Sequence, residues 1–416
     1  MQDNWKDLKI NADRFLDDFI TLSTFGKSGE TGVNRPALSP AHLEARAWFR
    51  DKIIQSGLEF HQDGAGNHSA LLRSGPEGAP SLLMGSHLDS VPDGGRFDGA
   101  YGVLAGLEVL RTIQEAAIRL PFNLEAYDFT DEEGSLVSFL GSFAFAGLLT
   151  PGDLENPRGE LQALTDGLAR AGLNQQGILA ARRDPHTIAG YLELHVEQGP
   201  ELEKYGIPIG VVTGIAGIAF YRLSFLGRAD HAGSTPIGER RDAALGASDF
   251  TLALRNLLLE QFPECFANVG NAHFAPGAFN IVPKKVTLSV EFRASKLERF
   301  EHLTTAVLRL AEQSAERYQL GLEVEFIGKR DPVGTDMRAQ SSIQEASEQL
   351  GLRTMHMISP IGHDAQAIAT LCPIGMIFVP SVGGISHTSG EMTHWEDCVN
   401  GANVLLQTVL RLAFRL

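Results

Sequence analysis

The stretch Ser81-Leu-Leu-Met-Gly-Ser-His-Leu-Asp89 is a short apolar run that ends in a histidine and an aspartate. A second apolar run, Phe122-Asn-Leu-Glu-Ala-Tyr-Asp-Phe-Thr130, ends before the acidic turn Asp131-Glu-Glu-Gly134. Such runs, bounded by glycine-containing loops, are typical of buried strands. In open α/β proteins the site forms at the carboxyl edge of the sheet, where the strands end. The two stretches therefore predict a metal-dependent enzyme with its ligands at that edge.

Imidazole and carboxylate groups follow several such runs along the chain. These candidates are His87, Asp89, Asp98, Glu132, Glu133, His195 and His387. A divalent ion is well served by this mixture of ligands, and an aspartate between two ions can bridge them. Asp98, within Gly94-Gly-Arg-Phe-Asp-Gly99, is the best candidate for the bridge. Of Glu132 and Glu133, one could bind metal while the other takes a proton from the attacking water; the alternative for this segment is a solvated acidic loop.

The composition agrees with an enzyme subunit. At 416 residues the chain exceeds the size of one hydrophobic core, so two domains are expected. Its net charge of -16 disfavours partners such as nucleic acid and anionic membranes. The three cysteines are widely spaced and indicate neither a disulfide framework nor a zinc knuckle. Without a recognisable signal peptide or membrane span, we expect a cytoplasmic location.

The order of patterns along the chain predicts an α/β fold with a layered mixed sheet. Helical patterns at 41–54 and 102–117 alternate with the apolar strands. In contrast, Lys285-Val-Thr-Leu-Ser-Val-Glu-Phe-Arg293 alternates strictly between apolar and polar residues, which indicates a half-exposed antiparallel sheet. We therefore predict a discontinuous catalytic domain, 1–214 and 331–416. A smaller α+β lid or dimerisation domain, 215–330, would be inserted into it.

The chain resembles the hydantoinase/carbamoylase family of dinuclear metal amidohydrolases, relatives of the aminoacylases and carboxypeptidases. The resemblance covers nearly the whole chain, and its specificity lies in the joint order of several short motifs. These motifs are Gly85-Ser-His-Leu-Asp-Ser-Val91, Gly94-Gly-Arg-Phe-Asp-Gly99, Asp131-Glu-Glu-Gly134, Glu193-Leu-His-Val-Glu-Gln-Gly-Pro200, His231-Ala-Gly233, Gly362-His-Asp-Ala365 and Gly383-Gly-Ile-Ser-His387.

The resemblance implies two divalent ions per subunit, Zn or Mn, with Co or Ni as further possibilities. One ion would lie on His87, Asp98 and His195. The other would lie on Asp98, Glu133 and His387. Glu132 would be the general base, and Asp89 would orient His87.

The resemblance also assigns substrate-binding positions. They are Gln198, His231, Asn280, Arg293 and Gly362. Arg293 would clamp the substrate carboxylate with two parallel hydrogen bonds. His231 would stabilise the negative charge that develops on the carbonyl oxygen, and it would reach the site of a partner subunit together with Asn280. We therefore expect a homodimer.

The implied reaction is hydrolysis of the carbamoyl C–N bond of an N-carbamoyl-L-amino acid to amino acid, CO2 and ammonia. Allantoate amidohydrolase, β-ureidopropionase and N-acyl amino acid hydrolase activities remain alternatives, because all of them would use the same ions and base. A rival from another class is a catalytically silent binding protein that keeps the fold. The presence of Glu132 beside every candidate ligand argues against that rival, since a silent protein needs no base.

Overall fold

The computed structural model describes residues 4–414, which form two compact units. The larger unit contains the chain up to Thr213, Thr335–Met357 and the chain from His363 onward. The smaller unit contains Gly214–Gly334 and Ile358–Gly362. The division expected from the sequence places the short segment Ile358–Gly362 in the larger domain, whereas in the structure it belongs to the smaller unit.

Helices and strands alternate through most of the chain. The α-helices are α1 Ala12–Leu22, α2 Pro40–Gln55, α3 Ala100–Glu115, α4 Leu140–Ala146, α5 Pro151–Glu155, α6 Leu161–Ala171, α7 Gln175–Leu179, α8 Glu201–Tyr205, α9 Ala243–Gln261, α10 Leu297–Arg317, α11 Met337–Gln349, α12 Asp364–Ile368 and α13 Trp395–Phe414. The strands are β1 Lys27–Ser28, β2 Gly32–Val33, β3 Glu59–Gln62, β4 His68–Leu72, β5 Ser81–His87, β6 Asn123–Phe129, β7 Ile188–Val196, β8 Ile209–Ile215, β9 Gly217–Leu226, β10 Phe266–Ala275, β11 Lys285–Ala294, β12 Gly321–Arg330, β13 Val333–Gly334, β14 Thr354–Ser359 and β15 Ile374–Val379. Short 3-10 helices occur at Asn4–Asp7, Pro185–Thr187, Ile237–Glu239 and Val382–Gly384.

The main sheet is mixed, with the strand order β8-β15-β7-β5-β6-β4-β3 and with β14 also paired to β8. Its central strands β15, β7, β5 and β6 run parallel, while β8, β4 and β3 are antiparallel to their neighbours. Every residue of β5, β6 and β15 is buried. Burial of both faces explains why these strands are continuous apolar runs in the sequence. The α/β fold class predicted from the sequence is confirmed.

Helix α3 brings a loop of the site close to the sheet. It packs on β5, β6 and β7, and Gly102 makes this approach possible, because a Cβ there would lie 2.2 Å from the carbonyl oxygen of Leu194. Gly99, immediately before the helix, has φ 63°. A Cβ at Gly99 would lie 2.5 Å from the ring of His87. The glycine thus leaves room for that ring beside the start of α3.

The smaller unit is built on an antiparallel sheet of order β10-β11-β9-β12. The predicted alternation of β11 is confirmed, since Val286, Leu288, Val290 and Phe292 are all buried. They form a core with the apolar faces of α9 and α10. Because β10 and β12 are the edge strands, both are largely exposed.

Within residues 4–414, none of the helices is both long enough and apolar enough to cross a bilayer.

Candidate metal centre

The sequence-predicted ligands of the larger unit gather at the carboxyl edge of the parallel strands. His87 ends β5 and pairs in register with Phe129, which ends β6. His195 lies near the end of β7, opposite Phe378 of β15. Asp98 lies on the loop before α3. Strand ends that are far apart in the sequence therefore supply one cluster of imidazole and carboxylate groups.

Asp98 is the centre of this cluster, because each of its carboxylate oxygens faces a different group of side chains. Oδ1 lies 3.1 Å from Nε2 of His195 and 3.7 Å from Nε2 of His87. Oδ2 lies 3.3 Å from Nε2 of His387, and that nitrogen lies 3.5 Å from Oε2 of Glu133. Within each group of three, the candidate ligand atoms lie within 4.8 Å of one another. The carboxylate can therefore be shared by two cations.

The hydrogen bonds of the two buried histidines orient their lone pairs. Nδ1 of His87 lies 3.0 Å from the carbonyl oxygen of Asp89, and Nδ1 of His195 lies 2.8 Å from that of Val196. A carbonyl oxygen only accepts, so each Nδ1 must carry a proton. In the neutral tautomer each Nε2 then directs a lone pair toward the carboxylate of Asp98. An imidazole nitrogen and a carboxylate oxygen that face each other at these distances can bind a cation between them, so the donor set fits a metal ion.

The pKa values around Asp98 show that its carboxylate attracts positive charge, which a protonated histidine or a bound cation supplies. Burial raises the pKa of the Asp98 carboxyl, but hydrogen bonds with His195 and His387 outweigh it and hold the pKa well below its usual range. Burial lowers the pKa of His195, but the hydrogen bond and charge of Asp98 bring it to about 9. Burial lowers the pKa of His87 to about 4. Asp98 therefore stays ionised and stabilises positive charge beside it.

Glu132 and Glu133 follow β6 in a sharply bent segment. Asp131 and Gly134 have φ values of 57° and 67°. The carboxylate of Asp131 accepts the backbone N–H of Leu136 at 3.0 Å and of Val137 at 2.5 Å, and this fixes the bend. The bend allows neighbouring glutamates, which on a regular strand would face opposite sides, to approach the same cluster. Because Glu132 is buried, this segment is not a solvated acidic loop.

Glu132 has the environment of a proton acceptor with a raised pKa. Its Oε2 lies 3.5 Å from Nε2 of His87. Burial raises the pKa of the Glu132 carboxyl well above its usual range, and the negative charges of Asp364, Glu133 and Asp98 raise it further. Positive charge placed between these carboxylates would offset the repulsion and return Glu132 to its ionised form.

The carboxylate of Asp89 contacts the glutamate segment more closely than the histidine. It lies 3.8 Å from Nδ1 of His87, which bonds to the backbone carbonyl of Asp89. The two carboxylate oxygens accept the backbone N–H groups of Glu132, at 3.4 Å, and Glu133, at 3.3 Å. Asp89 therefore links the end of β5 to the segment that follows β6.

Glu391 is a buried residue that the sequence analysis did not identify. Its Oε1 accepts the backbone N–H groups of Phe97, at 2.9 Å, and Asp98, at 3.0 Å, while Oε2 accepts the hydroxyl of Ser386 at 2.8 Å. Burial raises its pKa to about 7. This carboxylate ties the Asp98 loop to the loop of His387. The only sequence signal was its position just after the histidine motif.

Gln198 also lies at the cluster. Its side-chain amide donates to Oδ2 of Asp98 at 2.8 Å and to the hydroxyl of Ser386 at 2.9 Å. Gln198 is one of the residues expected to bind substrate, and in this structure its amide contacts the shared carboxylate.

A third group of possible ligands lies beside the first. Glu193, His195 and His363 are all buried, with possible ligand atoms within 4.8 Å of one another. The carboxylate of Glu193 already accepts hydrogen bonds from the hydroxyl of Ser86, at 3.1 Å, and the backbone N–H of Ala365, at 2.9 Å. These bonds fix Glu193 as a link between β5, β7 and α12, and the ring of His363 packs edge-on against that of His195.

The remaining predicted residues, His231, Asn280, Arg293 and Gly362, belong to the smaller unit. His231 pairs with Ile281 in an isolated bridge, and the carbonyl of Asn280 accepts the N–H of Ala232 at 2.9 Å, so these two predicted residues are neighbours. Nη1 of Arg293 donates to the carbonyl of Pro360 at 2.9 Å. Its Nη2 lies 3.2 Å from Oε1 of Glu291.

A cavity of about 410 Å³ lies at the amino ends of β5, β7 and β15, lined in part by Tyr191, Ser342 and Ile374. It contains none of the predicted site residues. The cluster of imidazole and carboxylate groups lies at the opposite edge of the sheet.

Comparison with known proteins identifies the family of the chain. Residues 83–411 match the peptidase family M20/M25/M40. The chain is 36% identical to the N-carbamoyl-L-amino acid amidohydrolase of Geobacillus stearothermophilus, over 97% of this chain and 99% of that protein. It is 31% identical to the ureidoglycolate hydrolase of Oryza sativa subsp. japonica, over 98% of this chain and 86% of that protein.

Among solved structures, the hydantoinase/carbamoylase family amidase from Burkholderia multivorans superposes with a TM-score of 0.87 at 32% identity and covers 98% of each chain. The chain therefore belongs to peptidase family M20/M25/M40 and, within it, to the hydantoinase/carbamoylase group of amidohydrolases.

Proposed function

We propose that this protein is a dinuclear metal hydrolase that cleaves the carbamoyl C–N bond of N-carbamoyl-L-amino acids. The observation that carries the proposal is the carboxylate of Asp98, whose two oxygens face two separate groups of ligands. The substrate class is supported by the N-carbamoyl-L-amino acid amidohydrolase from Geobacillus stearothermophilus, which aligns over nearly the full length of both proteins.

In this proposal His87, Asp98 and His195 hold one divalent ion, and Asp98, Glu133 and His387 hold the other. Zn or Mn, and also Co or Ni, suit such imidazole and carboxylate ligands. When bound, the ions supply Lewis-acid polarisation of the scissile carbonyl and make the attacking water more acidic.

Glu132 acts as the general base. It takes a proton from the attacking water as the new C–O bond forms, and it delivers that proton to the nitrogen that leaves as the C–N bond breaks. Its buried position beside His87 supports this role. There the carboxylate lies next to the proposed ligands, while neither of the two proposed ligand groups includes it. Asp89 holds the backbone of Glu132 through its own carboxylate.

Substrate recognition is assigned to Gln198, His231, Asn280, Arg293 and Gly362. The guanidinium of Arg293 would bind the substrate carboxylate, and the imidazole of His231 would stabilise the developing oxyanion. Both Arg293 and Glu291 are partly exposed, so the guanidinium is accessible to a substrate carboxylate, which would compete with Glu291 for it.

A second candidate substrate class is the ureido acids related to allantoate and ureidoglycolate, and β-ureidopropionate is a further alternative. The similarity to the ureidoglycolate hydrolase of Oryza sativa favours retaining this class. The same ligands and base would serve it, so only the pocket around the acid group would differ.

The partner is a small molecule, and the active unit is proposed to be a homodimer. A cytoplasmic location is supported by the three free cysteines, two of them buried, which suit a reducing compartment.

The test is a panel of N-carbamoyl-L-amino acids, allantoate, ureidoglycolate, β-ureidopropionate and N-acetyl amino acids, assayed for ammonia or amine release. Metal content is measured on the same samples. We expect turnover of the carbamoyl substrates, its loss on chelation and its return with Zn, Mn, Co or Ni. Full activity in protein shown to be metal-free, or turnover of N-acetyl substrates alone, would overturn the proposal.

A further inference from the structure

Both peptide groups of Leu88, the residue between His87 and Asp89, are held by buried charged side chains. The backbone N–H of Leu88 donates to Oδ1 of Asp128 at 2.9 Å. The carbonyl of Leu88 accepts from Nε of Arg35 at 2.6 Å. Hydrogen bonds to ionised groups are stronger and more directional than neutral ones. A loop residue with no catalytic side chain is thus fixed from both sides.

Arg35 is a fully buried arginine that bonds to carbonyl groups instead of a carboxylate. Its Nη1 donates to the carbonyls of Leu22, at 3.0 Å, and Phe25, at 3.2 Å. Across residues 4–414, no carboxylate lies within ion-pair distance of it. Burial lowers its pKa to about 10, so it remains charged at neutral pH. Burying a guanidinium without a carboxylate is costly, so the contacts that it makes need an explanation.

On the other side of Leu88, Asp128 is paired with Arg46. Nε of Arg46 lies 2.7 Å from Oδ2 of Asp128, and both side chains are buried. Nη1 of Arg46 also donates to the carbonyl of Gly66 at 2.7 Å. This arrangement leaves Oδ1 of Asp128 for Leu88 and fixes its position.

The position of the Leu88 peptide groups affects both His87 and Glu132. The carbonyl of Asp89 accepts from His87 and so sets its tautomer, while the carboxylate of Asp89 holds the backbone of Glu132. A rotation of the Leu88 peptide groups would move both contacts together. Ser90 adds a second tie, because its hydroxyl accepts the N–H of Arg35 at 3.0 Å and its own N–H donates to the carbonyl of Arg35 at 3.0 Å.

We propose that Arg35 and the Arg46–Asp128 pair are positioning residues that clamp Leu88 and thereby orient His87 toward a bound cation and Glu132 toward the attacking water. The inference rests on the proposed function for the roles of His87 and Glu132. None of the clamping residues is a proposed metal ligand or substrate-binding residue, so their effect is transmitted through the backbone.

The test uses the full-length protein with Co²⁺ as a spectroscopic probe. Arg35→Met removes one side of the clamp, and Asp128→Asn removes the charge on the other side while keeping the shape. The matched control is Arg111→Met, because Arg111 is also a buried arginine and lies 2.5 Å from a buried carboxylate of Asp18. The readouts are Co²⁺ affinity, the visible absorption of the bound Co²⁺, the ¹⁵N signals of the histidine rings in metal-free protein, and kcat and KM.

We expect Arg35→Met and Asp128→Asn to weaken Co²⁺ binding by about 10- to 100-fold, to shift its absorption, and to lower kcat more than they raise KM. The ¹⁵N signals of His87 should shift in the metal-free protein. The control should lose stability without these changes. The clamp would be overturned if both clamp variants kept the Co²⁺ affinity and the Co²⁺ absorption of wild type. It would also be overturned if Arg111→Met shifted the Co²⁺ absorption as much as the clamp variants do. The Co²⁺ and ¹⁵N measurements compare each variant with wild type and need no substrate. A failure of the clamp can therefore be distinguished from a failure of the proposed function.

Discussion

The carboxylate of Asp98 explains why a cluster of acids can persist inside this protein. Its Oδ1 lies 3.1 Å from Nε2 of His195, its Oδ2 lies 3.3 Å from Nε2 of His387, and its backbone N–H donates to Glu391. The sequence could identify Asp98, because an acid within a glycine-rich turn after a strand is an uncommon combination. It could not assign a role to Glu391, because the backbone N–H that this carboxylate accepts belongs to Asp98, 293 residues earlier in the sequence.

The two adjacent glutamates should respond differently to the same isosteric change. We expect Glu132→Gln to keep its metal and lose about 10²- to 10⁴-fold in kcat, because it removes the base. Glu133→Gln should lower metal occupancy, because a carboxylate ligand becomes a weaker amide ligand. The measurements are kcat at saturating substrate and the metal-to-protein ratio after gel filtration. Loss of metal in Glu132→Gln together with full occupancy in Glu133→Gln would reverse the two roles.

Arg293 should affect only substrates that carry a free carboxylate. We expect Arg293→Ala to raise KM for an N-carbamoyl amino acid by about 10- to 100-fold, which corresponds to roughly 1.5 to 3 kcal/mol for a hydrogen bond to a charged group. The matching carboxamide should show little change. The control is Arg222→Ala, which removes an exposed arginine of β9 that pairs with Glu325. Equal losses on the acid and its carboxamide would show that Arg293 does not bind the carboxylate.

At the scale of elements, the strands that carry the site and the helices α2 and α3 could be predicted, while the helices α4 to α7 could not. Strands β5, β6 and β15 are buried on both faces, so their sequences are continuous apolar runs that end in polar residues. The helices between residues 140 and 179 were missed. Helix α4, Leu-Gly-Ser-Phe-Ala-Phe-Ala, begins after Phe139 at φ 58°, has no side-chain cap, and is buried almost all round.

A helix without an apolar face or a cap has no periodic signal. Helix α7 is only five residues long and depends on Ile178, which packs into a small core with Leu136 and Leu164. The bend at Asp131 was similarly hidden, because its carboxylate bonds to N–H groups five and six residues later. The bend at Asp131 and the burial of α4 form only when tertiary contacts are made, whereas the Asn174 side chain that caps α7 is a local signal.

Helix α2 should make the stability of the protein sensitive to acid. Nδ1 of the fully buried His42 accepts the backbone N–H of Leu38 at 2.9 Å, and burial holds the pKa of His42 well below its usual range. Below about pH 6.5 the unfolded state therefore binds a proton that the native state does not. Stability should fall as pH falls, at up to about 1.4 kcal/mol per pH unit for this one residue.

The measurement is urea unfolding of metal-free protein between pH 7 and 5, for wild type and for His42→Gln. Glutamine can still accept the N–H of Leu38 but does not titrate. We expect the free energy of unfolding of the variant to fall less steeply by about 1 to 2 kcal/mol over this range. Parallel pH profiles for the two proteins would show that His42 is not a source of the acid sensitivity.

At the scale of the whole molecule, the smaller unit exposes apolar surface that its own core does not use. Helix α9 carries Leu245, Leu252 and Leu259 at seven-residue spacing, which places them on one stripe, and they are 42%, 68% and 60% exposed. In the sheet of the same unit, β10 and β12 are the edge strands. A stripe of leucines beside an open sheet edge is a surface that a second copy of the chain could cover. The sequence could not reveal it, because the stripe is defined only once the opposite face of α9 is buried.

The proposed homodimer can be tested by restoring activity from two inactive variants. If His231 serves the site of its partner subunit, a dimer of His231→Ala with Glu132→Gln has one site with an intact base and an intact partner histidine, and a second site that lacks both. Random exchange of equal amounts makes half of the dimers mixed, so roughly a quarter of the wild-type sites should recover. The measurement is kcat per total chain after exchange, with the fraction of mixed dimers determined by native mass spectrometry. Each variant exchanged with itself is the control and should stay inactive. If His231 serves its own chain, every site in the mixed dimer lacks one group, and activity should stay at the level of the controls even when mixed dimers are abundant.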